Sequence, residues 1–327
     1  MEDVEAPALT PGQVRVRVHS VGLCKSDIYG YSGVNDRRDA VLGDGGVLVM
    51  GHEAAGYVDE LGPNTDGPPL GSPVAVNPIF GCGSCALCVA GDENLCDQRT
   101  VHGCTPAAPG AYAETIAVPV RNVSPLADGT PIEWGALVEP LTVGFHGVRL
   151  AELTPDDSVL VVGGGIIGIG AALAARRRVG DDVLVLEPLA HRRELCNQLG
   201  LRAAAPDDVL GSDATFDVAV ECVARAETFA GAVEAVRPKG VVVLVGIHED
   251  FIPLPVSRVV WRETRILGSY GYSHADFDDV ADWVGRGEVD LAPIIEQRVG
   301  FDGVIGAFEA YADGSLDAVR TLLQPAL

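Results

Sequence analysis

A glycine-rich segment sets the tightest limit on how this chain of 327 residues can fold. The apolar run Val159–Val162 is followed by the stretch GGGIIG (163–168) and then by an alanine-rich segment that ends in three arginines. This order predicts a buried strand, a tight turn that glycines allow, and a helix. The uncharged segment 158–175 approaches the length of a membrane span, but a spanning helix would not contain five glycines there.

Other apolar runs in the second half of the chain follow the same plan. The segments DDVLVLE, FDVAVECV and GVVVLVG are continuous apolar strands, and helix-length segments such as LAHRRELCNQLG separate them. Apolar strands that alternate with helices are typical of a parallel sheet covered on both faces. We therefore predict a doubly wound parallel-sheet domain over residues 141–268.

The turn of this domain matches the pattern G-x-G-x-x-G. Its glycines allow the tight turn, the approach of a pyrophosphate and close helix packing, which is the Rossmann arrangement. The next strand ends at Glu187, whose carboxylate would bind the adenosine ribose and repel a 2′-phosphate. We predict NAD as cofactor, with NADP less favoured, although an arginine nearby could accept a phosphate. The predicted contacts are Gly163, Gly165, Ile166, Ile167, Gly168, Glu187 and Arg192.

A second segment, GCGSCALCVAGDENLC, concentrates half of the eight cysteines of the chain. Its spacing fits a tetrahedral thiolate cage, and two disulfides within so short a stretch would be strained. A cage whose four positions are all filled by protein has no room for a substrate. We predict a structural zinc bound by Cys82, Cys85, Cys88 and Cys96.

The first part of the chain has the pattern of a β-rich domain. In QVRVRVHSVGL, Val14, Val16 and Val18 alternate with polar residues, and short apolar runs cut by Gly, Pro and Asn continue to about Leu126. The net charge of −23 makes nucleic acid and an anionic membrane poor partners. The acidic start MEDVEAPALTPG lacks an apolar core, so we predict no secretory signal and a cytoplasmic location.

Other potential metal donors are widely separated. Cys24 lies in GLCKSD, His52 and Glu53 in MGHE, and Glu139 in VEPLTVGFHG. Each alone could equally be a buried thiol, a hydrogen-bonded histidine or a carboxylate at a helix start. Together they offer S, N and O ligands to one zinc with a position left open. Their distances along the chain are too large for spacing alone to group them.

The ordered series of MGHE, four-cysteine, VEP, glycine-rich and ETRILGSYGY segments resembles the zinc-dependent medium-chain alcohol and polyol dehydrogenases, especially the sorbitol and threonine dehydrogenase branch. The resemblance implies an α/β protein with a GroES-like β-rich catalytic domain at 1–140, which includes a zinc lobe at 81–97. It also implies a Rossmann domain at 141–268 and a segment at 269–327 that returns to the catalytic domain. The active site would lie in the cleft between the domains.

The resemblance also implies residue roles. Cys24 and His52 match ligands of a catalytic zinc, Glu139 matches a third, variable ligand position, and Glu53 matches a carboxylate that binds zinc directly or transiently. Ser26 matches the hydroxyl that takes the substrate proton. Zinc would polarise a secondary alcohol, and a hydride would pass to NAD. We expect one catalytic and one structural zinc per chain, and a polyol, aminocyclitol or vicinal diol, or the matching ketone, as substrate.

The proton-relay loop departs from the family pattern. Tyr29 stands where the family usually has histidine, and a phenol with a pKa of about 10 transfers protons poorly at neutral pH. The relay could therefore end in water, or Tyr29 could shape the substrate pocket. Lys25 is expected to face solvent. The loop with Asp36, Arg37 and Arg38 is expected to help form that pocket.

Two alternatives remain open at this point. One is a zinc-free quinone or enoyl reductase on the same scaffold, which would have no need of Cys24, His52 and Glu139. The other is a non-catalytic sensor that binds NAD and zinc, suggested by the altered relay loop. By resemblance, the chain is expected to form a homodimer or homotetramer.

Overall fold

The computed structural model describes residues 3–31, 47–209, 215–246 and 251–327. The loop residues Asp36, Arg37 and Arg38 lie outside the described residues. The chain divides into two compact units, of which the first comprises Met1–Glu139 and Ser273–Leu327 and the second Pro140–Tyr272.

The described strands and helices are numbered in chain order. The strands are β1 (Gln13–Gly22), β2 (Ala54–Leu61), β3 (Pro73–Val76), β4 (Ile79–Phe80), β5 (Thr100–Val101), β6 (Thr115–Pro119), β7 (Val123–Pro125), β8 (Val159–Val162), β9 (Val183–Leu186), β10 (Arg202–Ala204), β11 (Phe216–Glu221), β12 (Val236–Leu244), β13 (Arg265–Gly268), β14 (Ile295–Val299) and β15 (Arg320–Leu323). The α-helices are α1 (Lys25–Tyr31), α2 (Ala86–Ala90), α3 (Gly135–Leu150), α4 (Ile166–Val179), α5 (Ala190–Gln198), α6 (Ala226–Ala235), α7 (Val256–Arg262), α8 (His274–Gly285) and α9 (Phe301–Ala312).

The first unit is built on a mixed sheet in the order β14-β15-β1-β2-β3-β7, with β6 also paired to β1. The alternation predicted for β1 is confirmed, since Val14, Val16 and Val18 are buried and join one apolar core with residues of β2, β3 and β6. Burial of one face of each strand fixes the register of the sheet.

That register brings three distant segments together. Val21 of β1 pairs with Ala54 of β2 on one side and with Leu323 of β15 on the other. The turn that follows β1, the residues that precede β2 and the strand β15 therefore meet at one end of the sheet. The donors Cys24, His52 and Glu53 lie in the first two of these segments.

The second unit contains a six-stranded sheet in the order β10-β9-β8-β11-β12-β13, in which every pairing is parallel. Counted from β8, this is the order 3-2-1-4-5-6 of the Rossmann fold. Strands β8 and β11 and helix α6 share one apolar core. The predicted α/β fold class, a β-rich domain with a Rossmann domain, is confirmed by this topology.

The glycine-rich segment forms the turn between β8 and α4 rather than a spanning helix. Within the described ranges, no helix is long and apolar enough to cross a membrane.

Candidate functional site

Four cysteine sulfurs form a compact cluster. The Sγ atoms of Cys82, Cys85, Cys88 and Cys96 all lie within 4.8 Å of one another. Two of the separations are 3.9 Å (Cys82 to Cys88) and 3.8 Å (Cys85 to Cys96). Sulfurs at about 2.3 Å from a tetrahedral zinc are about 3.8 Å apart. The cluster therefore fits a zinc ion, and all four residues are free thiols.

The local backbone builds this cluster. Cys85 is the N-cap of α2, and Gly91 ends that helix in the left-handed region with a φ of 91°. The backbone N–H of Cys85 donates to Cys82 Sγ at 3.4 Å, and that of Cys88 donates to Cys85 Sγ at 3.5 Å. A Cβ on Gly81 would lie 2.5 Å from Cys88 Sγ, so only glycine leaves room for that sulfur.

The thiols of the cluster differ in acidity. Backbone N–H groups of Ser84 and Cys85 lower the pKa of Cys82 to about 6, whereas burial raises the pKa of Cys88 to about 12. Zinc binds thiolates, so a bound zinc would bring all four sulfurs to the deprotonated form.

A buried carboxylate ties the cysteine lobe to the rest of the first unit. Glu93 lies between Cys88 and Cys96 in the sequence, and its Oε1 accepts from Arg121 Nη1 at 3.0 Å. Its Oε2 lies 3.0 Å from His274 Nε2 at the start of α8. The lobe is thus fixed at Glu93 to two separate segments of the same unit.

A second donor cluster mixes three kinds of ligand atom. Cys24 begins the turn after β1, while His52 and Glu53 come directly before β2. One donor atom from each of these residues lies within 4.8 Å of the other two. The thiol, imidazole and carboxylate donors fit a zinc site that is not closed by four protein ligands.

Polar neighbours surround this second cluster. Ser26 Oγ donates to Cys24 Sγ at 3.3 Å, and His52 Nδ1 lies 3.4 Å from Asp27 Oδ2. Burial opposes a charge on His52, but the negative charge of Asp27 and of Cys24 outweighs it and raises the pKa of this histidine well above its usual value. The cluster therefore favours a positive charge at its centre.

An arginine supplies one such charge. Arg320 Nη1 lies 2.7 Å from Glu53 Oε2 and also donates to the carbonyl of Leu23 at 2.8 Å. Burial opposes the charge of Arg320, but Glu53 and Cys24 together raise its pKa above the usual value. Arg320 thus holds the side chain of Glu53 in place and fixes the backbone next to Cys24.

The remaining predicted residues of this region have different surroundings. Glu139 is buried on α3, and its charge contributes to the raised pKa of Arg320. Among the described residues, however, Glu139 is not one of the three mutually close donors. Tyr29 is 49% exposed on α1, and Lys25 at the start of that helix is exposed. The catalytic roles of Glu139 and Tyr29 stay predictions.

The glycine-rich turn has the close contacts that its sequence predicts. Gly163 has a φ of 105°, in the region that favours glycine, and Gly165 is the N-cap of α4, which begins at Ile166. A Cβ on Gly168 would lie 1.8 Å from the carbonyl oxygen of Gly163, so a larger residue there would separate the helix from the turn. Ile167 continues the first turn of the helix.

Glu187 lies directly against this turn. Its Oε2 accepts from the backbone N–H of Gly164 at 2.9 Å and its Oε1 from that of Leu189 at 2.9 Å. Arg193 donates to the carbonyl of Glu187 at 2.8 Å, which fixes the chain after β9. A buried carboxylate beside a glycine turn fits the adenosine half of a dinucleotide. The predicted role of Arg192 in cofactor binding stays a prediction.

Comparisons with known proteins agree with these sites. Residues 10–128 match the family "Alcohol dehydrogenase GroES-like domain", and residues 167–286 match "Zinc-binding dehydrogenase". The chain is 32% identical to a 2-dehydro-3-deoxy-L-galactonate 5-dehydrogenase of Pseudoalteromonas atlantica, over 98% of this chain and 94% of the relative. It is 31% identical to a sorbitol dehydrogenase of Arabidopsis thaliana, over 97% and 89%.

A solved structure is also similar. A zinc-binding dehydrogenase of Sinorhizobium meliloti 1021, bound to NADP, has a TM-score of 0.86 and 26% identity, with 98% of this chain and 94% of that chain covered. The chain therefore belongs to the family of zinc-dependent medium-chain alcohol and polyol dehydrogenases. The predicted family and the predicted class of enzyme, a zinc-dependent oxidoreductase of the alcohol dehydrogenase type that acts on a small molecule, are confirmed.

Proposed function

We propose that this enzyme oxidises a secondary alcohol of a small polyol, sugar acid, aminocyclitol or vicinal diol, or reduces the matching ketone, with NAD as the hydride carrier. The observation that carries the proposal is the group of Cys24, His52 and Glu53, whose thiol, imidazole and carboxylate donors lie within 4.8 Å of one another beside the hydroxyl of Ser26. Such an incomplete ligand set suits a catalytic zinc, since a fourth position stays available to substrate. The two relatives named above support a polyol or sugar-acid substrate.

The residues of the first unit have separate roles in the proposed reaction. When bound, zinc supplies Lewis acidity that makes an alcohol hydroxyl more acidic. Ser26 would accept the hydroxyl proton of the substrate, because its Oγ lies 3.3 Å from Cys24 Sγ, next to the proposed ligands. Tyr29 follows three residues later on α1 and is 49% exposed, so we propose that it shapes the substrate pocket while the proton passes from Ser26 to water. Glu139 is proposed as the third, variable ligand beside Cys24 and His52, with Glu53 binding the metal directly or transiently, so that one position stays open to the substrate.

We propose a second zinc at the four cysteines, with a purely structural role. Its four thiolate ligands would complete the tetrahedron and leave no position for a substrate. The catalytic domain, at 1–140 with the returning segment 269–327, would thus hold both metal ions, and the Rossmann domain at 141–268 would hold the cofactor. The predicted cytoplasmic location stays a prediction.

The proposal is tested by a substrate panel. Formation of NADH from NAD is followed with sugar alcohols, aldonic acids, vicinal diols, aminocyclitols and threonine, each with and without a zinc chelator. Turnover of one class that the chelator abolishes is the expected result. Turnover that is insensitive to removal of all zinc would favour the zinc-free reductase. NAD binding without turnover in a zinc-loaded sample would favour the sensor.

The preference for NAD rests on Glu187. Its carboxylate is 4% exposed and lies against the glycine turn, where a 2′-phosphate on the ribose would meet its negative charge. We expect NAD to bind more tightly than NADP by tenfold or more, since about 1.4 kcal/mol of repulsion corresponds to a tenfold change in affinity.

A substitution in the turn separates cofactor binding from folding. A Cβ on Gly165 would meet no protein atom within 4 Å, so Gly165→Ala should leave the melting temperature unchanged. The second glycine of this pattern is the one that a pyrophosphate approaches, so the added methyl should weaken NAD binding by about tenfold to a hundredfold. Calorimetric titration with NAD measures this effect. Unchanged affinity in a folded Gly165→Ala protein would contradict the proposed cofactor position.

We propose that the enzyme forms a homodimer through the second unit, or a tetramer built from such dimers. Strand β13 is an edge of the described six-stranded sheet, and the segment that precedes it in the sequence exposes apolar side chains, namely Phe251 (90%), Val260 (65%) and Trp261 (83%). Open strand edges and large exposed apolar groups are normally covered by a partner. A second copy could cover both elements across a two-fold axis.

The interface is tested by sedimentation velocity. Trp261→Glu should shift the protein to the monomer at micromolar concentration, because an unpaired carboxylate would be buried in the contact. Val89→Glu is the matched control, since Val89 is 76% exposed on the cysteine lobe and adds the same charge. A monomeric wild type, or a Trp261→Glu protein of unchanged mass, would exclude this interface.

A further inference from the structure

Tyr112 connects the two halves of the second donor cluster. Its hydroxyl faces two acceptors, Asp27 Oδ2 at 2.9 Å and the carbonyl oxygen of Gly22 at 3.0 Å. Asp27 in turn contacts His52, and Gly22 precedes Cys24 by two residues. One phenol is therefore linked to the histidine of the proposed catalytic zinc site through Asp27, and to its cysteine through Gly22 and Leu23.

Packing and a backbone hydrogen bond fix the position of the Tyr112 ring. Its backbone N–H donates to the carbonyl of Met50 at 2.8 Å, and a Cβ on Gly51 would lie 2.7 Å from its Cδ1 atom. On another side, the ring packs edge-on against Phe308 with centroids 5.8 Å apart. The hydroxyl is thus aimed by packing that a phenylalanine would keep unchanged.

We propose that Tyr112 is a positioning residue that sets the Cys24 turn and the His52 ring in place for the catalytic zinc. The single O–H proton faces both acceptors, and Asp27 takes the larger share of it, because a charged acceptor strengthens a hydrogen bond. The bond fixes the carboxylate that contacts His52 Nδ1, and the carbonyl oxygen of Gly22, 3.0 Å from the same hydroxyl, holds the backbone that leads to Cys24 beside it. Partners of metal ligands that act in this way typically change metal affinity by about tenfold to a hundredfold.

The proposal rests on the proposed function, since it requires a metal at Cys24 and His52. The test is therefore the release of the metal rather than turnover. In Tyr112→Phe, transfer of the catalytic zinc to a coloured chelator should be about tenfold to a hundredfold faster than in wild type, while the zinc of the four cysteines is released as before. With cobalt in place of zinc, the visible absorption bands of the site should shift.

Tyr311→Phe is the matched control. Tyr311 also has a half-buried hydroxyl in the same unit, bonded to the carbonyl of Ala318 at 3.0 Å and to Thr321 at 3.1 Å, and neither of these bonds goes to a proposed ligand. Tyr311→Phe should lose comparable stability but release zinc at the wild-type rate.

A second variant distinguishes positioning of the ligands from a general loss of stability. In an Asp27→Asn background, Tyr112→Phe should add little, because the two residues act through one contact.

The outcomes separate the inference from the function. If wild type binds no metal at Cys24, the proposed function fails. If wild type binds it and Tyr112→Phe releases zinc and absorbs light as wild type does, Tyr112 has no positioning role and the proposed function stands. Equal acceleration in Tyr311→Phe, or full additivity with Asp27→Asn, would also overturn the inference.

Discussion

Replacing Cys24 with alanine is expected to lower kcat/KM by about a thousandfold or more while the fold persists. The thiol is one of three donors within 4.8 Å of one another, so its loss would leave His52 and Glu53 as a weak pair of ligands. A catalytic zinc contributes several kcal/mol to the stabilisation of the reacting oxygen, and each 1.36 kcal/mol corresponds to about a tenfold change in rate.

The measurement combines steady-state kinetics with metal analysis. Cys24→Ala should contain one zinc fewer per chain than wild type and should melt at nearly the same temperature. Cys104→Ala is the control, because Cys104 is a half-exposed thiol of the same unit that belongs to neither described donor cluster. Activity of Cys24→Ala within fivefold of wild type would show that this cysteine does not hold a catalytic metal.

Replacing Cys96 with serine should have the opposite effect, namely a lower melting temperature with most of the kcat retained. Cys96 is 1% exposed, and its sulfur lies 3.8 Å from that of Cys85, so serine would break a closed tetrahedral site. Structural zinc contributes folding energy directly, and we expect a loss of at least about 3 kcal/mol, or about 5–10 °C in melting temperature. The disturbance should reach Arg121 and His274 through Glu93.

Kinetics at low temperature distinguish this effect from that of Cys24→Ala. Below its melting range, Cys96→Ser should keep the larger part of its kcat, because the second donor cluster is intact. Val89→Ser serves as the control, since it changes an exposed residue of the same lobe without touching a donor. A Cys96→Ser protein that retains all its zinc and melts as wild type would contradict a structural zinc at the four cysteines.

Local sequence patterns predicted the features that are formed by residues close to one another in the sequence. The alternation in β1 follows from a period of two residues, and the cysteines of the lobe lie within one short segment. The glycine turn is similar, because Gly163 and Gly168 are in contact and belong to the same short segment, GGGIIG. Such features need no knowledge of tertiary structure.

Contacts between distant segments could not be predicted in this way. Arg320 lies 297 residues from Leu23, and Tyr112 lies 85 residues from Asp27, yet both fix the segment that contains Cys24. The pairing of β15 with β1 places Arg320 beside this segment, and the bond from the backbone N–H of Tyr112 to the carbonyl of Met50 places Tyr112 there. Asp27 did have a signal, since it lies within three residues of Cys24, but a single acidic residue in the first turn of a helix is common without any role at a metal site.

The resemblance to the family filled part of this gap. It grouped Cys24, His52 and Glu53, which the structure brings within ligand distance of one another, although their spacing carried no such information. It also grouped Glu139, which is not one of the three mutually close donors among the described residues. A variable ligand position is therefore the part of the site for which resemblance is the weakest guide.

We propose that one zinc supports catalysis and the other supports the fold. The most direct test is to remove all metal, add zinc back in measured portions, and follow bound zinc, melting temperature and NADH formation in the same sample. We predict two zinc ions per chain at saturation, with activity rising in proportion to only one of them and absent from Cys24→Ala at any zinc level. Full activity in a protein whose only zinc is bound by the four cysteines, or in a zinc-free protein, would contradict the account.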